Sequence, residues 1–292
     1  MRIDLHVHST ASDGTLTPTQ VIEHAAAQGV DVVGLTDHDS PAGWAEGVEA
    51  ARDLDVMLVP GMEVSTKLGR AGVHVLAYLP DPAFPPLAAE LDRIIAGREG
   101  RLGAIVEQLR SVGVDITVDD VRRQAAGSPA IGRPHVADVL VAKGVVSDRA
   151  EAFRGWLGYG QPGFVVRYAT QTDAMVRLIV GAGGAAVIAH PWGRGSRRVL
   201  DVDTLAALRD AGLTGIEVDH QDHSPDDRQR LRLIADDLGL VATGASDFHG
   251  AGKVDHELGC NLTSPDQFER LLGLAAVNAA SSGLRVAEVV GR

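Results

Sequence analysis

The chain has 292 residues, which is long enough for one large α/β domain or two ordinary ones with a sizeable buried core. Its 39 acidic and 27 basic side chains give a formal net charge of −12, and no Lys/Arg run offsets it, so an extended surface for long nucleic acid is not evident. Cys260 is the one cysteine, which excludes an intrachain disulfide and a metal site built from several thiolates.

The N-terminal segment "MRIDLHVH" begins a strand directly and lacks the charged head and long apolar stretch of a signal peptide. No later segment gives about 18 uninterrupted apolar residues, the length of a membrane-spanning helix. We therefore expect a soluble cytoplasmic protein with no membrane partner.

Short apolar runs alternate with helix-length segments along most of the chain. After "RIDLHVH", Thr17 reads as an N-cap, Pro18 as the first helical residue and Gln20 as its capping-box partner, and Gly29 ends this helix. The later elements are "DVVGLTDHDS", a helix near 43–54, "VMLVPGMEVST", "VHVLAYLP", the helix "DAMVRLIVGAGG", "AAVIAHP", a helix near 203–211, "GIEV", a helix capped by Ser224 and "LVATGASDFHG". This alternation of apolar strands with helices favours a parallel sheet in an α/β fold.

Residues 86–168 break this rhythm. They contain helix-like stretches with Gly and Pro between them and no convincing buried strand. We predict a barrel formed by residues 1–85 and 169–292, interrupted by a helical insertion of residues 86–168.

Histidines and acidic residues fall at the ends of the predicted strands. They are His6 and His8 on the first strand, His38 on the second, Glu63 just after the third, His74 within the fourth, His190 after "AAVIA", and Asp247 and His249 after the last. Residues i and i+2 of a strand share a face, so His6 and His8 can bind one cation. The carboxyl ends of parallel barrel strands meet at one face, so the whole set is expected to converge there.

These motifs resemble those of the polymerase and histidinol phosphatase (PHP) family. The resemblance rests on "HVHSTASDG", "LTDHD", "GMEVS", "VHVLAY", "AHP" and "SDFHG". "GRPHVA" and the "HS" after "GIEV" point to its branch of nucleotide 3',5'-bisphosphate phosphatases and 5'-to-3' exoribonucleases. The resemblance implies an α/β fold, a distorted seven-stranded (β/α)7 TIM-like barrel with a small helical insertion.

The resemblance also implies three divalent metal ions, typically Mn²⁺. The implied ligands are His6, His8, Glu63 and Asp247 for one ion, Glu63, His74 and His190 for a second, and Asp13, His38 and His249 for the third. Imidazole and carboxylate ligands without sulfur also suit Fe²⁺ or Zn²⁺. Three such ions against three ligand carboxylates leave about +3 at the pocket floor, which is the local charge reversal that an anionic substrate needs.

The chemistry implied is phosphoester hydrolysis. The metal ions would supply a hydroxide near neutral pH for in-line attack on phosphorus, and Asp13 and His249 are the implied catalytic residues of the chain.

Groups outside the metal set must give substrate specificity. We hypothesise that Arg133 clamps a second phosphate, with capping a helix or pairing with an acid as its alternative role. His135 and His223 are predicted to contact substrate, and the alternative for His223 is an exposed loop histidine. The basic loop 193–198 either guides an anionic chain or is an ordinary solvated loop.

Several nearby residues receive other roles. Asp37 and Asp39 are candidates for orienting ligands, although Asp39 could instead cap the helix near residue 43. His220 is interpreted as a surface residue, and His24 and His256 are assigned no functional role.

The predicted function is hydrolysis of the 3'-phosphate of nucleoside 3',5'-bisphosphates, with short 5'-phosphorylated RNA as a second substrate. The alternatives are a histidinol phosphatase or other PHP phosphatase, an amidohydrolase, which would leave Asp13, His38 and His249 without a role, and a noncatalytic PHP nucleotide-binding module.

Overall fold

The computed structural model describes residues 1–291, with Arg194 described by its backbone alone. The first part of the chain alternates strands and helices. Its elements are β1 (Ile3–Val7), α1 (Pro18–Ala27), β2 (Val32–Leu35), α2 (Trp44–Leu54), β3 (Met57–Leu68) and β4 (Ala71–Tyr78). The two predicted helices in this part are confirmed.

A helical segment follows β4. It contains α3 (Pro85–Ser111), α4 (Val118–Gln124), α5 (Arg133–Ala142), α6 (Arg149–Ala152) and one π-helical turn (Phe153–Leu157). Residues 86–168, all of them described, include no strand. The domain boundaries placed at these two ends stay a prediction.

The last part returns to the alternating pattern. Its elements are β5 (Thr170–Gln171), α7 (Thr172–Gly181), β6 (Ala185–Ile188), α8 (Val202–Asp210), β7 (Gly215–Asp219), α9 (Pro225–Leu238), β8 (Val241–Gly244) and α10 (Pro265–Ser282), with short 3-10 turns at Gly193–Arg198 and Gly250–Gly252. Among the helices of residues 1–291, none combines the length and apolar character needed to cross a bilayer.

Seven strands form a nearly closed, barrel-like sheet in the order β1-β2-β3-β4-β6-β7-β8, and β5 adds to the end of β3. The predicted α/β barrel is confirmed. A parallel bridge between Val7 and Phe248 brings the two sheet ends together. The expectation of parallel pairing throughout is wrong for β4, which runs antiparallel to both β3 and β6. Because only Gly69 and Arg70 separate β3 from β4, the two strands form a hairpin, and short connections favour antiparallel pairing.

The helix-start signals read from the sequence are confirmed. Thr17 Oγ1 accepts a hydrogen bond from the Gln20 amide at 3.2 Å, and the Gln20 side chain accepts one from the Thr17 amide at 3.0 Å. Ser224 caps α9 through the Asp227 amide at 3.2 Å. Each side-chain cap contributes about 1 kcal/mol to helix stability.

Helix α3 belongs to two hydrophobic cores. Its first half buries Leu87 and Ile94 against the core between the sheet and the outer helices. Its second half buries Ile105 and Leu109 in a separate core with α4, α5 and the π-helical turn. One continuous helix therefore holds the insertion rigidly against the barrel.

The insertion lies over the loop between β1 and α1. Three side chains of the insertion donate hydrogen bonds to carbonyl oxygens of this loop: Ser128 to Ala11 at 3.1 Å, His135 to Ser12 at 2.9 Å, and Arg149 to Asp13 at 3.0 Å. The helical segment thus covers the face of the barrel at which the parallel strands end.

Candidate metal centre

The predicted ligand side chains converge at this face, where His74 is half-buried and the others are buried. The imidazole Nε2 atoms of His6 and His8 lie 3.0 Å apart. Both lie 3.2–3.3 Å from Glu63 Oε2 and 3.5 Å from Asp247 Oδ1. These four residues form a closed donor group able to hold one ion.

The second oxygen of Glu63 faces a different pair of imidazoles. Glu63 Oε1 lies 2.6 Å from His74 Nδ1 and 3.0 Å from His190 Nε2. Glu63 was expected just after β3 but lies within it, because β3 continues into the hairpin. His74 pairs with Ser65 in that hairpin, so the reversed direction of β4 brings it to the same face.

A third group surrounds Asp13 in the loop after β1. Asp13 Oδ1 lies 3.3 Å from His249 Nε2, and Asp13 Oδ2 lies 3.7 Å from His38 Nε2. Gly14 allows this loop to turn back sharply, since a Cβ at that position would lie 2.5 Å from the His8 carbonyl oxygen.

Backbone strain marks the ends of three strands at this face. Asp39, His190 and Asp247 adopt positive φ angles of 54°, 31° and 53°. Non-glycine residues are held in this region only where the surrounding structure enforces it, and such positions cluster at functional sites.

The electrostatics of the cluster favour cations. Burial acts to raise the pKa values of Glu63 and Asp13, but the neighbouring histidines outweigh it and hold both pKa values well below their usual range. Burial acts to lower the pKa of His8, but hydrogen bonds with Asp247 and Glu63 raise it to about 9. Burial lowers the pKa of His38 to about 3, so its imidazole is neutral and ready to ligate. The carboxylates stay charged and attract positive charge, and this donor set fits divalent ions.

Comparison with known proteins agrees with this geometry. Residues 4–108 match the family model described as PHP domain. The chain is 41% identical over 257 residues to a 3',5'-nucleoside bisphosphate phosphatase of Chromobacterium violaceum, covering 88% of this chain and 90% of that protein. This chain belongs to the PHP family.

Two further relatives extend the comparison of this PHP protein. It is 36% identical to a 5'-3' exoribonuclease of Haemophilus influenzae, covering 91% of this chain and 96% of that protein. A solved structure from Bifidobacterium adolescentis, described as a metal-dependent phosphoesterase, superposes with a TM-score of 0.89 at 37% identity, covering 93% of this chain and 96% of that one. The predicted family and the enzyme class, a metal-dependent phosphoesterase, are confirmed.

Sequence reasoning missed the groups that hold the ligands in place. Glu217 is fully buried, with Oε1 3.2 Å from His6 Nδ1 and Oε2 accepting the His190 amide at 2.8 Å. A charged residue inside the apolar run "GIEV" was the available signal. The prediction that His220 lies at the surface is wrong, since it is fully buried with Nε2 3.3 Å from Asp247 Oδ2.

Asp247 takes part in a further donor group with His220 and His256. The Lys253 ammonium also contacts Asp247 Oδ2, so this side of the carboxylate already faces a cation. We therefore assign His220 and Lys253 to orienting Asp247, whose Oδ1 faces His6 and His8. His256 is buried in the PHP structure.

Asp37 and Asp39 both support the site from outside the ligand set. Asp37 accepts hydrogen bonds from Ser9 and Ser12 at 2.6–2.8 Å, which fixes the loop that carries Asp13. Asp39 does not cap α2, whose N-cap is Gly43, but accepts the Ser65 amide at 2.6 Å.

His135 and His223 each have both ring nitrogens engaged by the chain. His135 Nδ1 accepts the Gly132 amide at 3.1 Å and Nε2 donates to the Ser12 carbonyl. His223 Nδ1 donates to the Val218 carbonyl at 2.9 Å, and Nε2 accepts the Trp192 amide at 3.3 Å. Both side chains therefore position backbone near the site, and their contact with substrate stays a prediction.

Arg133 begins α5 and is half-buried. Its Nη1 donates to the Leu157 carbonyl at 3.0 Å, and its guanidinium lies 5.4 Å over the Phe153 ring and 5.6 Å over the Phe164 ring. Its predicted clamp on a second phosphate stays a proposal. The basic loop is a 3-10 turn, and its Arg197 pairs with Asp227 at 2.6 Å and lies 4.5 Å over the Trp192 ring.

The positioning role of His135 leads to a testable prediction. His135→Ala leaves the Ser12 carbonyl without its donor, so we expect the free energy of unfolding to fall by about 1–3 kcal/mol. The KM for a phosphoester substrate should change less than about threefold. Denaturant unfolding and steady-state kinetics measure the two effects. A large rise in KM at unchanged stability would instead support a direct contact between His135 and substrate.

Proposed function

We propose that this PHP enzyme hydrolyses the 3'-phosphate of nucleoside 3',5'-bisphosphates with three divalent ions, Mn²⁺ being the preferred metal. One observation carries the proposal: five imidazole nitrogens lie within 3.3 Å of the two Glu63 oxygens, three at Oε2 and two at Oε1. A carboxylate shared in this way supports two adjacent ions, and the Asp13 group beside it supports a third.

Three ligand groups are proposed for these ions. They are His6, His8, Glu63 and Asp247; Glu63, His74 and His190; and Asp13, His38 and His249. When bound, the ions supply a nucleophile from water near neutral pH and neutralise charge on the phosphate. We propose that burial keeps His38 neutral. Asp13 and His249 are proposed to form the side of the site nearest the insertion, where Arg149 donates to the Asp13 carbonyl.

The choice of substrate rests on the relatives and on local charge. The C. violaceum relative named for bisphosphate hydrolysis matches over nine-tenths of its length. In a chain of net charge −12, the arginines of the insertion offer positive charge close to the metal face. Arg133 is proposed to contribute to holding the phosphate that is not cleaved.

A second candidate activity is removal of nucleotides from short RNA that carries a 5'-phosphate. The exoribonuclease relative from H. influenzae supports this activity, and a phosphodiester at the same 3'-oxygen would bind to the same metal ions. The acidic net charge favours short RNA over long RNA. The cytoplasmic location expected from the sequence is retained as a proposal.

A side-by-side assay tests the proposed function. With Mn²⁺, kcat/KM for adenosine 3',5'-bisphosphate should exceed that for histidinol phosphate by about 10- to 100-fold, since one charged phosphate contact contributes about 1.5–3 kcal/mol. A short 5'-phosphorylated RNA forms the third arm. Elemental analysis should give three ions per chain; two ions would favour the amidohydrolase alternative, and a higher rate on histidinol phosphate would overturn the bisphosphate assignment.

A further inference from the structure

Four arginines of the insertion lie close enough to influence one another electrostatically, and one of them contacts residues near the proposed metal ligands. Arg98 and Arg101 are one turn apart on α3, Arg133 begins α5, and Arg167 precedes β5. Arg98 is fully committed within the chain, since it donates to Asp39 Oδ2 at 2.6 Å and to Ser65 Oγ at 3.1 Å. Arg133 donates to the Leu157 carbonyl and Arg167 to the Tyr168 carbonyl.

Arg101 differs from its three neighbours. Its side chain is only 8% exposed, yet its Nε has no hydrogen-bond partner among the described residues. No carboxylate in residues 1–291 forms an ion pair with it. Burying a charged group without a partner is costly, so a bound group of opposite charge would stabilise it.

Arg101 lies near three other positive side chains. Burial and the positive charges of Arg167, Arg133 and Arg98 lower the pKa of Arg101 to about 8. Burial and Arg98 likewise lower the pKa of Arg167 to about 10. Asp39 is the one carboxylate among the groups acting on these two side chains, and it is already bonded to Arg98.

The position of the cluster connects it to the reaction site. Asp39 follows His38 directly in sequence, and Ser65 lies two residues beyond Glu63 on β3. Because both residues bond to Arg98, the arginine cluster begins within two residues of two proposed metal ligands. Arg98 thus connects the arginine cluster to the segments that carry His38 and Glu63.

We propose that Arg101 is the principal residue of an anion site, flanked by Arg133 and Arg167, which holds the phosphate of the substrate that is not hydrolysed. This inference rests on the proposed function for the identity of the substrate, and it moves the main phosphate contact from Arg133 to Arg101. A guanidinium presents a planar fork of donors that matches two phosphate oxygens. A dianionic phosphate would provide the partner that the buried side chain lacks.

Three full-length, metal-loaded proteins test the site: wild type, Arg101→Gln and the matched control Arg110→Gln. Arg110 is exposed on the same helix. The probe is adenosine 5'-monophosphate, which retains the phosphate that would contact Arg101, and its affinity is measured by calorimetry. Kinetics on adenosine 3',5'-bisphosphate and adenosine 3'-monophosphate give a second readout.

We expect the affinity for adenosine 5'-monophosphate to fall about 10- to 100-fold in Arg101→Gln and to stay within twofold in Arg110→Gln. The preference for the bisphosphate over the 3'-monophosphate in kcat/KM should fall by a similar factor. The unfolding temperature of Arg101→Gln should rise or stay unchanged, because the substitution removes an unpartnered buried charge.

Equal affinity for adenosine 5'-monophosphate in all three proteins would overturn the proposal. A merely structural Arg101 would show this equal affinity together with a lower unfolding temperature in the Gln variant. Should Arg101→Gln not fold, Arg101→Lys decides in the same way, since it retains the charge but lacks the fork. If the wild type hydrolyses neither nucleotide, the proposed function fails, and the binding measurement still decides the role of Arg101.

Discussion

Glu63→Gln is expected to lower kcat/KM by about 1000-fold or more and to remove at least one bound ion per chain. The substitution keeps the shape of the side chain but removes the charge that five imidazole nitrogens surround. Metal ions contribute several kcal/mol of transition-state stabilisation, so the loss of even one ion gives a change of this size. Metal content is measured by elemental analysis and activity with adenosine 3',5'-bisphosphate.

Glu49→Gln is the matched control for this variant. Glu49 is exposed on α2, so its substitution should leave both metal content and activity unchanged. Far-ultraviolet circular dichroism of both variants verifies the fold. Full metal content and activity within tenfold of wild type for Glu63→Gln would contradict the shared-carboxylate arrangement.

The barrel and its ligand set were predictable because they depend on local patterns. Capping residues such as Thr17 and Ser224 define helix starts within a few residues of sequence, and strand ends carry the ligand side chains wherever strands are parallel. The direction of β4 was not predictable in this way. An apolar strand reads the same in either direction, and the short connection at Gly69 was the only sign of a hairpin.

The groups around the ligands could not be read from the sequence because their partners are distant along the chain. His220 is 27 residues from Asp247, and Glu217 is more than 200 residues from His6. A histidine between polar residues, as in "DHQDHS", normally indicates a surface loop. Only the folded arrangement shows that His220 is buried. The same reason hides Arg101, whose unpartnered Nε is a property of packing.

Arg98→Met is expected to lower the free energy of unfolding by about 3–5 kcal/mol at pH 7. The Arg98 side chain is 6% exposed and that of Asp39 is fully buried, and their ion pair joins the insertion to the barrel. The Met variant leaves the Asp39 carboxylate buried with only its Ser65 hydrogen bonds. Urea unfolding measures the loss, and Arg177→Met is the control, because its pair with Asp173 is exposed on both sides and should contribute less than about 0.5 kcal/mol.

The pH dependence of this variant gives an independent check. Burial acts to raise the pKa of Asp39, but Arg98 outweighs it and lowers the pKa from 3.8 to about 2. A carboxylate with a depressed folded-state pKa stabilises the protein fully above its unfolded-state pKa and loses this contribution as the pH falls toward the folded-state value. Asp39 titrates alike in the two unfolded chains, so the difference between wild type and Arg98→Met depends on the two folded states. It should be largest near pH 7 and shrink on acidification, because the unpaired Asp39 of the variant takes up a proton before that of wild type. A difference below about 1 kcal/mol at pH 7, or one that grows on acidification, would contradict a stabilising ion pair between the insertion and the barrel.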